Sequence, residues 1–164
     1  MTMIFVLFAA AALAGAYFWW VGRDGWIPGE LRRASLVYNE TRMSTSSPFP
    51  VVGRFDRVYR LGDGLHVPLE YKTRDVLRVY KSDLAQLSLQ AWLLRRNGHK
   101  TASHGYVAIR ERRPGRTKAF RVDLDSDADC ESLIQRHVDL LEGRKTPTRV
   151  RDGRCRACGH ADVC

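Results

Sequence analysis

Asp56, Glu70 and Lys72 are the side chains on which chemistry could be built. They sit in VVGRFDRVYRLGDGLHVPLEYKTR, Val51 to Arg74, where two runs rich in β-branched and aromatic residues flank Gly62-Asp63-Gly64. A three-residue loop there, with Gly64 in the left-handed position, closes a hairpin. Asp56 lies seven residues before Asp63 and Glu70 seven after it, so this register sets the two carboxylates opposite each other. Like charges so placed, with Cβ atoms roughly 5 Å apart, destabilise a strand pair. A divalent cation reverses the sign, because carboxylate oxygens are the ligands that Mg²⁺ and Mn²⁺ take. Lys72 shares a sheet face with Glu70. A metal-holding acid pair beside a lysine is equipment for phosphodiester hydrolysis. A two-residue Asp-Gly turn would instead shift the register by one and send the acids to opposite faces. An ordinary surface hairpin with solvated charges is the bland alternative.

A second set of reactive residues ends the chain. In CRACGHADVC, Cys155, Cys158 and Cys164 follow C-x2-C-x5-C, and Cys130 is the only other cysteine. Thiols at this density suit zinc or an iron–sulfur cluster better than disulfides in a reducing compartment. Four unligated thiols are the other possibility.

The elements that must position these groups follow from periodicity and caps. Ser82 to Arg96 reads as an amphipathic helix, with Ser82 as N-cap, Asp83 in the first turn and Asn97-Gly98 as the stop. Leu84, Leu87, Ala91 and Leu94 form its apolar stripe, and Gln86 and Gln90, four apart, share a face. Strand-like runs follow at His104 to Arg110 and Lys118 to Asp123. Their connection carries Arg110, Arg112, Arg113, Arg116 and Lys118, either a phosphate-contacting finger or a solvated basic turn. Ser126 to Glu142 is a second amphipathic helix with acids in its first turn. Residues 23–50 read as a linker or irregular segment, in which Trp26 to Tyr38 could be a short helix or interfacial segment followed by an extended piece, and Thr41 to Pro50 is a loop.

Charge and hydropathy divide the chain. There are 27 Lys plus Arg against 18 Asp plus Glu, a net charge of +9, and the partner this favours is a polyanion, either DNA or an anionic membrane surface. Met1 to Gly22 has no charged side chain, and Met3 to Val21 is apolar enough and long enough to cross a bilayer. Tyr17, Trp19 and Trp20 suit an interfacial belt, and Arg23, Arg32 and Arg33 predict a single-pass protein with its N-terminus out and the remainder cytoplasmic. A cleaved signal peptide ending near Ala14-Gly15-Ala16 is the competing reading. The expected organisation is an anchor over 1–22, a linker over 23–50 and one domain over 51–164, with its cysteine tail at 150–164.

The string G-x-x-D, a short turn and E-x-K resembles the core of the PD-(D/E)XK nuclease superfamily, with Asp56, Glu70 and Lys72 in the motif positions. The helix string Q-L-x-x-Q-A-x-L-L is similar to the one after E-x-K in RecB-like nucleases, where the glutamine matching Gln86 reaches the active site. The tail resembles that of CRISPR-associated RecB-family exonucleases, so the likeness runs from about Val51 to Cys164. It implies an α/β fold, a mixed sheet flanked by helices with a restriction-endonuclease-like core, here behind one N-terminal transmembrane helix. It implies a metal-dependent DNA nuclease, of exonuclease type, which the apolar segment would anchor in a membrane.

Asp56, Glu70 and the Tyr71 backbone carbonyl would then hold Mg²⁺ or Mn²⁺, Lys72 would orient water, and Gln86 would position Lys72 or the substrate. Cys155, Cys158 and Cys164 would be three ligands of a [4Fe–4S] cluster, or of Zn²⁺. The family's fourth cysteine and its upstream histidine have no counterpart at their usual places. Cys130 or His160 would stand in for the first, and Glu40 for the second. A nuclease-fold protein that binds nucleic acid without cleaving it, and a membrane-associated metal or redox module, are the readings from other classes.

Overall fold

The computed structural model describes residues 25–150 and 153–159, together with Gly15. A short helix α1 (Gly29–Arg32) precedes β1 (Ser35–Thr45), β2 (Val51–Arg60) and β3 (His66–Arg74). Helix α2 (Lys81–Arg96) then leads to β4 (His104–Glu111) and β5 (Thr117–Asp123). The five strands form one sheet in the order β1-β2-β3-β4-β5. Pairing is antiparallel except between β3 and β4, which run parallel. A parallel neighbour cannot be reached by a tight turn, and α2 is the crossover that makes the return. The α/β mixed-sheet, restriction-endonuclease-like core expected from the sequence is therefore present.

The Gly-Asp-Gly hairpin folds as its residues require. Leu61 N–H donates to the Leu65 carbonyl at 2.9 Å, enclosing a three-residue loop, and Gly64 has φ +85°. Only glycine takes that conformation without strain. Asp63 Oδ1 accepts the Leu65 N–H at 2.9 Å and closes the turn.

Alternation along the strands builds two cores. On one face Leu31, Tyr59, Val67, Leu69, Tyr106 and Ala108 pack together, backed by Trp26 and Ile27. On the other, Val107 and Ile109 of β4 meet Leu87 of α2, with Phe120 and Val122 of β5 beside them. Gly105 to Ile109 is buried throughout, as befits a strand covered on both faces. Gly105 also marks where helix and sheet come closest. A Cβ there would stand 2.8 Å from Leu87 Cδ2 and 2.8 Å from the Pro68 carbonyl oxygen.

Residues 23–50, expected to be irregular, hold α1 and the eleven-residue strand β1. β1 is an edge strand, paired only with β2, and its polar outer residues are what keeps such an edge from further pairing. The helix and the start of the strand fall where Trp26 to Tyr38 suggests a short helix and an extended piece, and the strand runs on into Thr41–Thr45, part of the expected loop.

A second compact unit, Asp127–Cys164, begins with α3 (Asp127–Leu141). Asp139 is its organising residue. The carboxylate accepts from Gln135 at 2.8 Å, from Arg144 at 3.0 Å and, through Oδ2, from Lys145 at 2.9 Å, and these donors hold it far below the usual carboxylate range. A 3₁₀ turn, Gly153–Ala157, follows.

No helix among the described residues is long and apolar enough to cross a membrane. This corrects the expected topology. Met1 to Gly22, read as a transmembrane helix, lies outside the described residues apart from Gly15. Single-pass anchoring, the membrane as a partner and the cytoplasmic placement built on it fall away with it. An apolar run is as compatible with burial against protein as with burial in lipid, so hydropathy alone did not justify the anchor.

Candidate active site

The site forms where the sheet splits. β2 and β3 pair from Arg60↔His66 to Arg57↔Leu69, and there their ladder ends. Beyond it β2 continues along β1 as far as Val51, while β3 continues along β4 as far as Arg74. The next pair in the same register would be Asp56 and Glu70, so the two acids stand at the mouth of the notch between the diverging strands. Asp56 bridges it by accepting the Tyr71 N–H on Oδ2 at 2.7 Å.

Glu70 is 3% exposed. Burying an ionised carboxylate is costly unless it is paired and hydrogen-bonded, and here both requirements are met. Lys72 Nζ lies 2.6 Å from Oε1, and Gln86 Nε2 donates to the same oxygen at 2.7 Å. Gln86 completes a triangle by accepting from Lys72 Nζ through its own Oε1 at 2.8 Å. The helix supplies these groups because residues four apart share a face: Gln90, one turn on from Gln86, donates to Glu70 Oε2 at 2.8 Å. Gln90 is the residue that the sequence reading left without a role. Its spacing from Gln86 was the available signal.

The donor set fits a hard divalent cation. Two carboxylates and the nearby Tyr71 carbonyl offer oxygen only, which is the partial shell Mg²⁺ takes before water and substrate phosphate complete it. A carboxylate offers about four lone-pair sites, and three hydrogen bonds leave Glu70 one. Among the described residues no group of three or more His, Cys, Asp or Glu could hold a metal ion.

Glu40, the expected stand-in for an upstream ligand, lies between Asn39↔Arg57 and Thr41↔Phe55, in the row of Asp56. Its φ is +48°, a left-handed conformation that costs a non-glycine residue on the order of 1–2 kcal/mol. Its carboxylate is engaged by Arg54 at 2.7 Å. A cavity of about 650 Å³ opens beside these acids, lined by Glu40, Asp56, Trp26, Arg57, Tyr71 and Arg110 among others. Arg57 lies 5.7 Å over the Trp26 ring, whose edge meets Tyr71 at 5.9 Å.

The basic connection does not act as one patch. Arg110 reaches the cavity, whereas Arg112 lies 3.7 Å from Asp75 and Arg116 3.2 Å from Glu111. Arg113 lines a separate surface cavity with Asp75 and Arg112. Lys118 is opposite Ile109 in the ladder and sits 5.0 Å over the Phe120 ring, one position out of step with Arg110 and so on the opposite face.

Among the described residues nothing supports the cysteine centre. Cys130 is buried in α3, Cys155 lies in the 3₁₀ turn with its Sγ 3.6 Å from the Val150 carbonyl, and Cys158 is exposed. Cys164 and His160 lie outside the described residues. With no metal-holding group of three among the described residues, an iron–sulfur or zinc centre loses its support. Spacing brings thiols near in sequence, but it does not aim them at one point.

A solved structure titled "Crystal structure of SSO0001" shares the fold with a TM-score of 0.52 at 18% identity, covering 99% of this chain and 74% of that one. No curated protein matches the chain by sequence. The family model of the PD-(D/E)XK nuclease superfamily matches residues 10–164, so its span takes in more than half of the apolar run expected to be an anchor. The chain belongs to the PD-(D/E)XK nuclease superfamily.

Proposed function

We propose that the protein is a divalent-metal-dependent nuclease that hydrolyses phosphodiester bonds in DNA. The observation that carries this reading is the gathering of Asp56, Glu70 and Lys72 at the notch, with Lys72 Nζ 2.6 Å from Glu70. Asp56, Glu70 and the Tyr71 carbonyl would hold Mg²⁺ or Mn²⁺. When bound, such a cation supplies a water of lowered pKa and polarises the phosphoryl oxygen.

The chain's own groups do the rest. Lys72, held by Gln86, places its charge where the attacking water and the developing charge on phosphate must lie. Arg57 and Arg110, on the cavity wall beside Asp56, offset the repulsion between phosphate and the acids. Buried Glu70 keeps its position because both of its oxygens are tied to α2. The Gln86–Lys72 contact also supports a RecB-like, exonuclease-type reading within the superfamily. A link to CRISPR systems rested on the cysteine tail and has no independent support.

The test compares wild type with Glu70→Ala and Lys72→Ala in Mn²⁺-dependent cleavage and in DNA binding. Both variants should bind DNA and fail to cut it. Wild-type protein that binds DNA and Mn²⁺ yet cuts neither single- nor double-stranded DNA would establish the non-catalytic binding reading instead.

A further inference from the structure

We propose that Gln90 is a positioning residue of this site, a clamp across the notch that fixes the spacing of the two carboxylates and with it the affinity for a divalent cation. The proposal rests on the metal-site reading above.

Where a ladder stops, the backbone groups on the facing edges still need partners. At this notch they are satisfied by the site's own side chains. Tyr71 N–H of β3 goes to Asp56, a residue of β2. The Arg54 carbonyl of β2 accepts from Gln90 Nε2 at 3.1 Å, and the same nitrogen donates to Glu70 Oε2 of β3 at 2.8 Å. One amide of α2 therefore bridges both strands beyond their last pair. Two acceptors on one NH₂ also fix its orientation, since a flipped amide would set oxygen against oxygen at each contact.

The rest of the amide shows that packing alone does not explain a glutamine here. Gln90 is 4% exposed, and its Oε1 is buried with no hydrogen-bond donor. An unsatisfied buried acceptor is destabilising, and leucine would avoid it. The helix can also come close enough for the bridge. Gly53, beside Arg54, has no Cβ, and one built there would stand 2.9 Å from Leu93 Cδ2 of α2. Gln90 thus holds the position of a carboxylate it does not replace, as residues behind metal ligands commonly do.

The experiment is calorimetric titration of Mn²⁺ into the full chain, as wild type, Gln90→Leu and Gln90→Met, with Tm measured for each. Both variants should stay folded and bind Mn²⁺ about 10- to 100-fold more weakly. Their DNA cleavage should recover to near the wild-type kcat at saturating Mn²⁺, because a weakened metal site is corrected by mass action and a collapsed one is not. If the leucine and methionine variants do not fold, Gln90→Asn keeps the amide but cannot span the notch, and the same loss is expected. A folded variant with wild-type Mn²⁺ affinity overturns the proposal and leaves the metal site standing. Wild-type protein that takes up no Mn²⁺ overturns both.

Discussion

Strand β3 and helix α2 meet through two buried acids, and the two are treated in opposite ways. Asp83, 2% exposed, receives a bidentate pair from Arg74 at 2.7 and 2.5 Å and caps the helix by accepting the Tyr80 N–H at 2.8 Å. Burial alone would raise its carboxyl, but Arg74 and the Tyr80 N–H outweigh that and hold it below the usual range. The guanidinium fork engages both carboxylate oxygens in one fixed geometry. Glu70 is as deeply buried, yet its cation is a lysine, a point charge on a flexible stem, and its other donors are neutral amides. It sits at a split in the sheet, where the β2–β3 ladder ends. Equal burial therefore does not mean equal role. Each carboxylate accepts three hydrogen bonds, so the difference lies in the partner: a rigid guanidinium fork holds the fold together, whereas a lysine and two amides at a split in the sheet leave a carboxylate available to a ligand.

The largest expected effects come from breaking the lysine-held acid. Glu70→Ala or Lys72→Ala should lower kcat by at least about 1,000-fold, since one misplaced charge-stabilising group already costs roughly 100- to 1,000-fold. Lys72→Ala also leaves the buried Glu70 without its cation and should lower Tm, so kcat is compared per folded molecule. Single-turnover cleavage of labelled DNA, run alongside thermal melts, checks both halves. A kcat per folded molecule close to that of wild type in both variants would make Glu70 a structural acid like Asp83.

Breaking the arginine-held acid should act on stability instead. Arg74→Met or Asp83→Asn leaves a buried partner uncompensated and should cost about 3 kcal/mol, measured by urea unfolding, with kcat per folded molecule nearly unchanged. The same pair gives a pH signature. Because the Asp83 carboxyl lies below its unfolded value of about 3.9, its stabilisation is complete above that pH and is lost as pH falls through the lowered folded value. Unfolding free energy should thus drop on acidification below about pH 4 in wild type. The drop should be shallower in Asp83→Asn.

How far the sequence showed this contrast depends on which physics each residue obeys. The hairpin was legible because a left-handed glycine and β-branched runs act locally, and they determine the register of Asp56 and Glu70. Helix α2 was legible from its stop and its acid, although Tyr80 rather than Ser82 precedes its first turn. Asp83 read only as a first-turn acid, since its pairing with Arg74 joins residues nine apart through tertiary packing. Gln86 was singled out by likeness and Gln90 was not, because a helix face says which residues align but not which will meet a carboxylate. The cysteine tail differs, because Cys164 lies outside the described residues. Close spacing in sequence was read as convergence, which only a fixed backbone can give.

The smallest expected effect sharpens the comparison with a third acid, Glu30 of α1. Its Oε1 accepts from Tyr106 at 2.6 Å and faces His104 Nε2 at 2.7 Å, tying α1 to β4. The carboxylate is partly open to solvent, so its contribution is screened more than that of Asp83. Tyr106 is the buried partner. Burial and then Glu30 push its phenol up to about 12. A group whose pKa is raised on folding contributes fully below its unfolded value, here about 10, and loses that contribution as pH rises through the folded one. Wild-type stability should therefore decline between about pH 10 and 12. Tyr106→Phe should cost about 1.5 kcal/mol at pH 7, the value of one hydrogen bond to a charged acceptor, and should flatten that alkaline decline. Urea unfolding at pH 7, 9.5 and 11 measures both. An unchanged slope in the phenylalanine variant would mean that the alkaline loss arises elsewhere, and that Glu30 is held by His104 rather than by the tyrosine.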